Sequence, residues 1–184
     1  SVYRAYDCML FIARAFGISN EYVEEAKTIL KRILASKGSV TYYEAAVAAM
    51  LYVILSHNLP ISTKQVISTC KSKGHKLTFE AIRDSLTVVG VKYSLKDRVL
   101  SHIRSGLVKL FGDSWVTIYP EAEKFLNSLR KSIIQSRSPP ILAAAVIYCV
   151  SKELGYKFRV EDVARALQVS QYTLRDYAHK LCRN

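Results

Sequence analysis

The stretch of sequence that decides the fold is SPPILAAAVIYCVSKELGYKFRVEDVARALQVSQYTLRDYAHKL, residues 138–181. Its first part is an apolar, alanine-rich run that opens with prolines and stops at Gly155, as expected of a helix in the centre of a bundle. Two shorter amphipathic segments follow, and a tight turn around Val169 joins them. This spacing predicts a helix-turn-helix motif over residues 159–182.

A fainter copy of the same plan lies upstream. The apolar run is TYYEAAVAAMLYVILSHNLPISTKQV, residues 41–66, and LTFEAIRDSL, residues 77–86, takes the place of the last helix. A repeat of about half the chain length predicts an all-α protein of two tandem helical lobes. We place these lobes at residues 1–92 and 93–184.

Helical periodicity continues through the rest of the sequence. The segment VTIY, residues 116–119, is the one candidate for a β-strand. Pro120 is predicted to lie in the first turn of the helix that follows, where proline is tolerated. The residues predicted to cap helix starts are Ser19 or Asn20, Thr41, Ser62, Thr78 and Ser170.

The charge of the chain points to a polyanionic partner. The sequence has 27 Lys and Arg against 15 Asp and Glu, a net charge of +12. Residues 1–92 hold 12 basic and 7 acidic residues, and residues 93–184 hold 15 and 8, so both lobes are basic. Basicity spread over a folded body suits nucleic acid lying across both halves. The alternative is a charge that only serves solubility.

The cysteine spacing does not predict a metal site, and the sequence contains none of the common catalytic motifs. Cys8, Cys70, Cys149 and Cys182 form no CxxC pair, so we expect structural thiols rather than a metal site, with Cys149 buried in its apolar run. The sequence has no phosphate-binding glycine loop, HExxH or nucleophile elbow. We therefore expect no enzymatic activity and no cofactor. Without a signal peptide or an apolar span, we expect an intracellular protein with no membrane partner.

The second helix of the predicted motif carries residues suited to DNA. Recognition helices contact bases with their N-terminal residues and phosphates alongside. Arg175 is predicted to pair with guanine and Gln171 with adenine, and Asp176 is predicted to orient Arg175. The alternative is a plain helical bundle with the same geometry. The predicted DNA contacts in this region are Arg159, Ser170, Gln171, Tyr172, Thr173, Arg175, His179 and Lys180.

Two further basic groups are candidate contact surfaces. One lies in the segment KSKGHK, where flexible lysines can contact phosphates, and comprises Lys71, Lys73 and Lys76. The other lies on one face of a helix, is predicted to bind an acidic protein surface, and comprises Lys27, Lys31 and Arg32. For both groups the alternative is an ordinary solvated surface.

These patterns resemble a known family. SPPILAAAVIYCVS, followed by VEDVARALQVSQYTLRDYAHKL, is similar to the second cyclin-like repeat of transcription factor B, the archaeal counterpart of the eukaryotic general factor IIB. The upstream TYYEAAVAAMLYVILSHNLPISTKQV looks like the first repeat of that family. The resemblance covers nearly the whole chain and is stronger in the second half than in the first.

The resemblance implies two five-helix cyclin folds that bind the TATA-binding protein on double-stranded promoter DNA and help to recruit RNA polymerase. It implies that the last helix reads the major groove, with Arg175 at the family's base-reading position. Tyr172 stands where the family has Val, so a different DNA preference is expected. The family's N-terminal zinc ribbon does not occur in these 184 residues, so zinc is expected only in a segment preceding them. A monomer located in the archaeal nucleoid, or in a eukaryotic nucleus, is also implied.

Other roles fit the same sequence. A divergent paralogue of the principal factor is one of them. Another is a cyclin-type protein-interaction module, such as a kinase or polymerase regulator, without sequence-specific DNA binding. A stand-alone regulator that uses the helix-turn-helix as a dimer is the third.

Overall fold

The computed structural model describes residues 1–36, 38–91 and 94–182. Over these residues the chain is all-α, with one 3₁₀ turn and no β-strand. It divides into two compact units, Ser1–Tyr93 and Ser94–Asn184. The lobe boundary predicted between residues 92 and 93 falls outside the described residues. The sequence also predicts that the helix starting near residue 20 ends at Lys37-Gly38, and Lys37 likewise lies outside the described residues.

Unit 1 is built around one apolar helix. Its helices are α1 (Val2–Phe16), α2 (Asn20–Ala35), α3 (Tyr42–Ser56), α4 (Thr63–Ser72) and α5 (Phe79–Val88). The other four helices pack against α3, which is buried continuously from Glu44 to Leu51. The alanines of α3 lack bulky side chains, so its neighbours approach it closely.

Unit 2 is also built around an apolar helix. Its elements are α6 (Leu95–Phe111), a 3₁₀ turn (Gly112–Ser114), α7 (Trp115–Ser128), α8 (Lys131–Ile134), α9 (Pro139–Glu153), α10 (Val160–Leu167) and α11 (Gln171–Leu181). The central helix is α9, which is buried from Leu142 to Ile147. Helices α6, α7, α10 and α11 pack against it.

Side-chain caps form at the predicted starts of α3 and α4, whereas the cap predicted before α2 is wrong, because Ser19 makes no side-chain cap there. The hydroxyls of Thr41 and Ser62 accept the backbone N–H of Glu44 and Gln65, each at 3.1 Å. The Glu44 and Gln65 side chains accept the backbone N–H of Thr41 and Ser62 in return, which completes two capping boxes.

Thr78 precedes α5, but the prediction that its side chain caps this helix is wrong. Its backbone N–H and its hydroxyl both donate to Glu44 Oε2, at 2.6 and 2.5 Å. Because Glu44 Oε1 also accepts the N–H of Thr41 at 3.2 Å, one buried carboxylate joins the starts of α3 and α5.

The sequence-based expectations for α7 are wrong in two respects. The helix begins at Trp115, so the segment 116–119 is helical rather than a strand. Pro120 consequently lies inside the helix instead of in its first turn. A proline at this position cannot donate to the carbonyl of Val116. Val116 is 58% exposed, so water can take the place of the lost donor.

A close helix contact positions α10 within unit 2. A Cβ atom added to Gly106 of α6 would lie 2.5 Å from Cδ2 of Leu167 and 2.8 Å from Cδ1 of Ile147. Only glycine therefore lets α6 lie this close to α9 and α10 without displacing their side chains.

Candidate nucleic-acid interface

A three-residue turn joins α10 to α11. Gln168 ends α10 in the left-handed conformation, with φ 55° and ψ 47°, and the N–H of Val169 donates to the carbonyl of Ala164 at 3.0 Å. The hydroxyl of Ser170 then accepts the N–H of Thr173 at 3.4 Å, which confirms the predicted cap of α11. Two helices joined by a short turn therefore occur where the sequence predicts the helix-turn-helix motif.

The inner faces of α10 and α11 are anchored in the core of unit 2. Val169, in the turn between them, is half-buried. The anchors that the two helices bury are Val163, Ala164, Leu167, Leu174, Tyr177, Ala178 and Leu181. Since these contacts fix the rotation of α11, they also determine which side chains it presents outward.

The outer face of α11 is polar, basic and aromatic. Tyr172 is 68% exposed, and Gln171 beside it is half-buried. Arg159, just before α10, is also exposed, and its side chain lies 3.7 Å from Asp162. The exposed side chains of α11 and its cap are Ser170, Tyr172, Thr173, Arg175, Asp176, His179 and Lys180.

Arg175 forms an ion pair with Glu161, a residue that the sequence pattern did not assign to the site. Its Nη2 donates to Oε1 of Glu161 at 2.9 Å, and both side chains remain partly exposed, at 53% and 36%. The expected orienting role of Asp176 is therefore wrong, because the partner is Glu161 in the first turn of α10. Glu161 lies 14 residues before Arg175 on another helix, so no local spacing pattern indicates the pair.

A groove of about 720 Å³ runs beside the outer face of α11. Its walls come from the end of α9, the start of α10 and the second half of α11. Lys152 of α9 is exposed and adds a positive charge that the sequence reading did not assign to the site. The lining residues are Tyr148, Lys152, Val160, Arg175, Asp176, Ala178, His179, Lys180 and Cys182.

Cys182, which lines this groove, forms a disulfide with Cys149. The expectation that all four cysteines are thiols is therefore wrong for these two. The burial of Ala178 and Leu181 against α9 brings Cys182 to a Cα–Cα distance of 5.2 Å from Cys149, which is within the range that a disulfide needs. The two cysteines are 33 residues apart, so sequence spacing gave no sign of the pair.

The predicted lysine cluster of unit 1 is divided between two places. Lys71, in the last turn of α4, and Lys76 line a depression of about 730 Å³ together with His75. The ammonium of Lys73 instead lies 4.0 Å from the centre of the Phe11 ring. His75 stacks on Tyr43 with ring centres 3.9 Å apart, and its burial, followed by the charge of Lys73, lowers its pKa.

The predicted protein-binding face of α2 is only partly available. Lys27 forms an ion pair with Glu24 at 2.9 Å and lies 5.0 Å from the centre of the Tyr6 ring. Lys31 and Arg32 are exposed. Lys31 and Arg32 are therefore more accessible to a partner than Lys27, which already contacts Glu24 and Tyr6.

Comparisons and composition do not assign a function to these surfaces. No protein-family model matches the sequence, and no curated protein matches it either. Across the described residues, His, Cys, Asp and Glu form no group of three that could hold a metal ion. No helix in this part of the chain has the length and apolar character to cross a membrane.

Proposed function

We propose that this chain is the double-stranded-DNA-binding core of a transcription initiation factor, built from two cyclin-like repeats. The observation that carries the proposal is the outer face of α11, where Tyr172 and Arg175 project from a firmly anchored helix beside a groove containing Lys152. A net charge of +12 adds attraction for a polyanion.

Several likenesses between the units support the tandem repeat. Helices α3 and α9 are both 15 residues long. Each is followed by a residue with positive φ, Asn58 at 51° and Gly155 at 89°. The next N–H, of Leu59 or Tyr156, donates back to the carbonyl of Ile54 or Ser151, in both cases at 2.9 Å. Together with the sequence resemblance, these features favour two cyclin-like folds.

The proposed docking places the start of α11 in the major groove. In this groove Arg175 contacts a guanine and Tyr172 contacts the neighbouring base. Thr173 and Ser170 approach the sugar-phosphate backbone of the DNA. Lys152, His179 and Lys180 line the protein groove beside α11, and they contact DNA phosphates. Lys71 and Lys76 form a second basic site in unit 1.

The family resemblance supplies the proposed partners. We place the chain on promoter DNA as a monomer with the TATA-binding protein, where it helps to recruit RNA polymerase in an archaeal nucleoid or a eukaryotic nucleus. Lys31 and Arg32 are its candidate contacts with an acidic partner surface. The proposed role is non-enzymatic.

Fluorescence anisotropy on labelled duplexes tests the DNA-binding role. A TATA-containing duplex and its scrambled form are titrated at several salt concentrations, with and without TATA-binding protein. Arg175→Ala is expected to reduce discrimination between the duplexes by about 1–3 kcal/mol. Lys152→Ala is expected to weaken binding to both duplexes equally and to lower the salt slope by about 1.

Arg14→Ala is the matched control, because Arg14 is an exposed arginine of α1 outside the proposed site. It should leave discrimination unchanged. Salt-insensitive or absent binding to every duplex would reject the DNA role, and capture of a kinase instead would favour the cyclin-type interaction module. Light scattering that finds a dimer would favour the stand-alone regulator.

A further inference from the structure

Unit 1 contains two adjoining thiols that the proposed function does not use. Cys8 lies on α1 and Cys70 on α4, with 2% and 0% of their surfaces exposed. Both cysteines are free, the two helices pack together, and the side chains share a hydrogen bond. Two thiols in such contact need little movement to form a covalent bond.

We propose that Cys8 and Cys70 form an oxidation site, at which a low-molecular-weight disulfide converts the two thiols into a second intramolecular disulfide joining α1 to α4. The modification would covalently link the first helix of unit 1 to its fourth helix. It does not depend on the DNA-binding proposal.

The surroundings assign different roles to the two sulfurs. The hydrogen bond that Cys8 donates to Cys70 lowers the pKa of the Cys70 thiol and raises that of Cys8. Lys73 follows Cys70 at the end of α4, and its ammonium lies over Phe11 of α1, so a positive charge borders the same seam. Lys73 lies three residues after Cys70, and its positive charge favours the Cys70 thiolate. We therefore assign Cys70 as the attacking thiol, since the thiolate is the nucleophile in exchange.

The exchange balances in two steps. The Cys70 thiolate attacks a disulfide RSSR, forming a mixed disulfide and releasing RS⁻, which takes up a proton. Cys8 then loses its proton and attacks the Cys70 sulfur, forming the Cys8–Cys70 bond and expelling a second thiol RSH. The two protein thiols are oxidised, and one RSSR is reduced to two RSH.

Burial determines how the oxidant reaches the site. Neither sulfur is open to solvent in the closed structure, so attack requires α4 to separate transiently from α1 and α3. The reaction is expected to accelerate in mild denaturant, because local opening becomes more frequent there. The remaining two cysteines of the chain are already joined within unit 2, so no third thiol competes for either sulfur.

Peptide mapping of the full chain tests the proposal. The protein is incubated with oxidised glutathione, blocked with iodoacetamide and digested without reduction. We expect a cross-linked peptide containing Cys8 and Cys70, and a Tm higher by at least about 5 °C than that of the unoxidised chain. Cys8→Ala should instead leave Cys70 carrying one glutathione, because the resolving thiol is gone.

Cys70→Ala is the second variant and should show little glutathione on Cys8, which is the poorer nucleophile. Two results would overturn the proposal. One is wild-type protein in which both cysteines remain alkylatable after long oxidation, including in mild denaturant. The other is glutathione retained on wild-type Cys70 without formation of the Cys8 cross-link.

Discussion

At the scale of single residues, two carboxylates act on helices other than their own. Glu161 of α10 holds Arg175 of α11 at 2.9 Å, and Glu44 of α3 binds Thr78 ahead of α5. The first is partly exposed and lies in the proposed interface, whereas the second is 5% exposed and structural. Each leads to a substitution with a distinct outcome.

Glu161→Gln is expected to strengthen binding to any duplex. The change removes a carboxylate that repels phosphate and competes for Arg175. Since a partly exposed ion pair contributes at most about 1 kcal/mol, the gain in affinity should be up to about fivefold at low salt. Anisotropy titrations measure it. Asp176→Asn removes the same charge next to Arg175 without touching the pair, so an equal gain there would show that the pair has no special role.

Glu44→Gln is expected to destabilise unit 1 by about 1–3 kcal/mol near neutral pH. Burial raises the pKa of Glu44, but the hydrogen bonds from Thr78 and Thr41 outweigh it and lower this pKa below its usual value of 4.5. The stabilisation is therefore complete above pH 4.5 and is lost as the pH falls through the lowered pKa of the folded state.

Hydrogen exchange of the α3 amides at pH 7 and at pH 3 measures this difference. The gap between wild type and Glu44→Gln should shrink at the lower pH. A gap that is constant or wider at pH 3 would show that the charge of Glu44 does not stabilise the fold.

Local sequence could predict single residues only where their partners were local. The caps at Thr41, Ser62 and Ser170 were predictable because each accepts a bond from a residue three positions ahead. The partners of Arg175 and Cys149 lie on other helices, so only the packed structure identifies Glu161 and Cys182. The exposed side chains of α11 could therefore be predicted from the sequence. The ion pair and the disulfide beside them could not.

At the scale of helices, α6 determines how closely α10 is held. Leu167 and Ile147 fill the space that a side chain at Gly106 would occupy. Because α10 leads directly into α11, this contact also supports the proposed recognition helix.

Gly106→Ala is expected to lower the stability of unit 2 by about 1 kcal/mol. Overpacking costs about 1–3 kcal/mol, and the better helix propensity of alanine offsets about 1 kcal/mol. Urea unfolding followed by Trp115 fluorescence reports on this unit, because Trp115 is the chain's one tryptophan. In a Leu167→Ala background the cost should shrink or reverse. An unchanged cost there would mean that Leu167 is not the obstacle.

Helix positions followed from hydrophobic periodicity, with α7 as the instructive exception. A proline usually marks a first turn, yet α7 continues across Pro120 because Ile118, Ala122 and Leu126 are all buried on one face. Tertiary burial therefore outweighed the one lost hydrogen bond, which lies toward solvent. The short helix α8 had no separate signature in the pattern.

At the scale of the whole molecule, the two units have separate cores. The core of unit 1 surrounds α3 and that of unit 2 surrounds α9. Cys149 and Cys182 both belong to unit 2, so their bond constrains one core only. The all-α class was predictable from periodicity, since helix-forming patterns run through both halves of the sequence.

The double variant Cys149→Ala, Cys182→Ala is expected to lose about 3 kcal/mol of stability in unit 2. The physical reason is that the bond restricts the unfolded chain over a closed loop. Trp115 fluorescence should show an earlier transition, while the α3 amides of unit 1 keep their exchange protection. Equal loss of protection in α3 and α9 would show that the two cores do not respond separately.

The carboxylate of Glu44 also bears on how this architecture tolerates insertions. It holds the backbone nitrogen of Thr78, a residue 34 positions away, so the first turn of α5 is tied to the central helix rather than to the length of the segment before it. Residues can be gained or lost between Gly74 and Lys76 while α5 keeps its position. Such a change in length would cost the stacking of His75 on Tyr43, but it would leave the start of α5 in place.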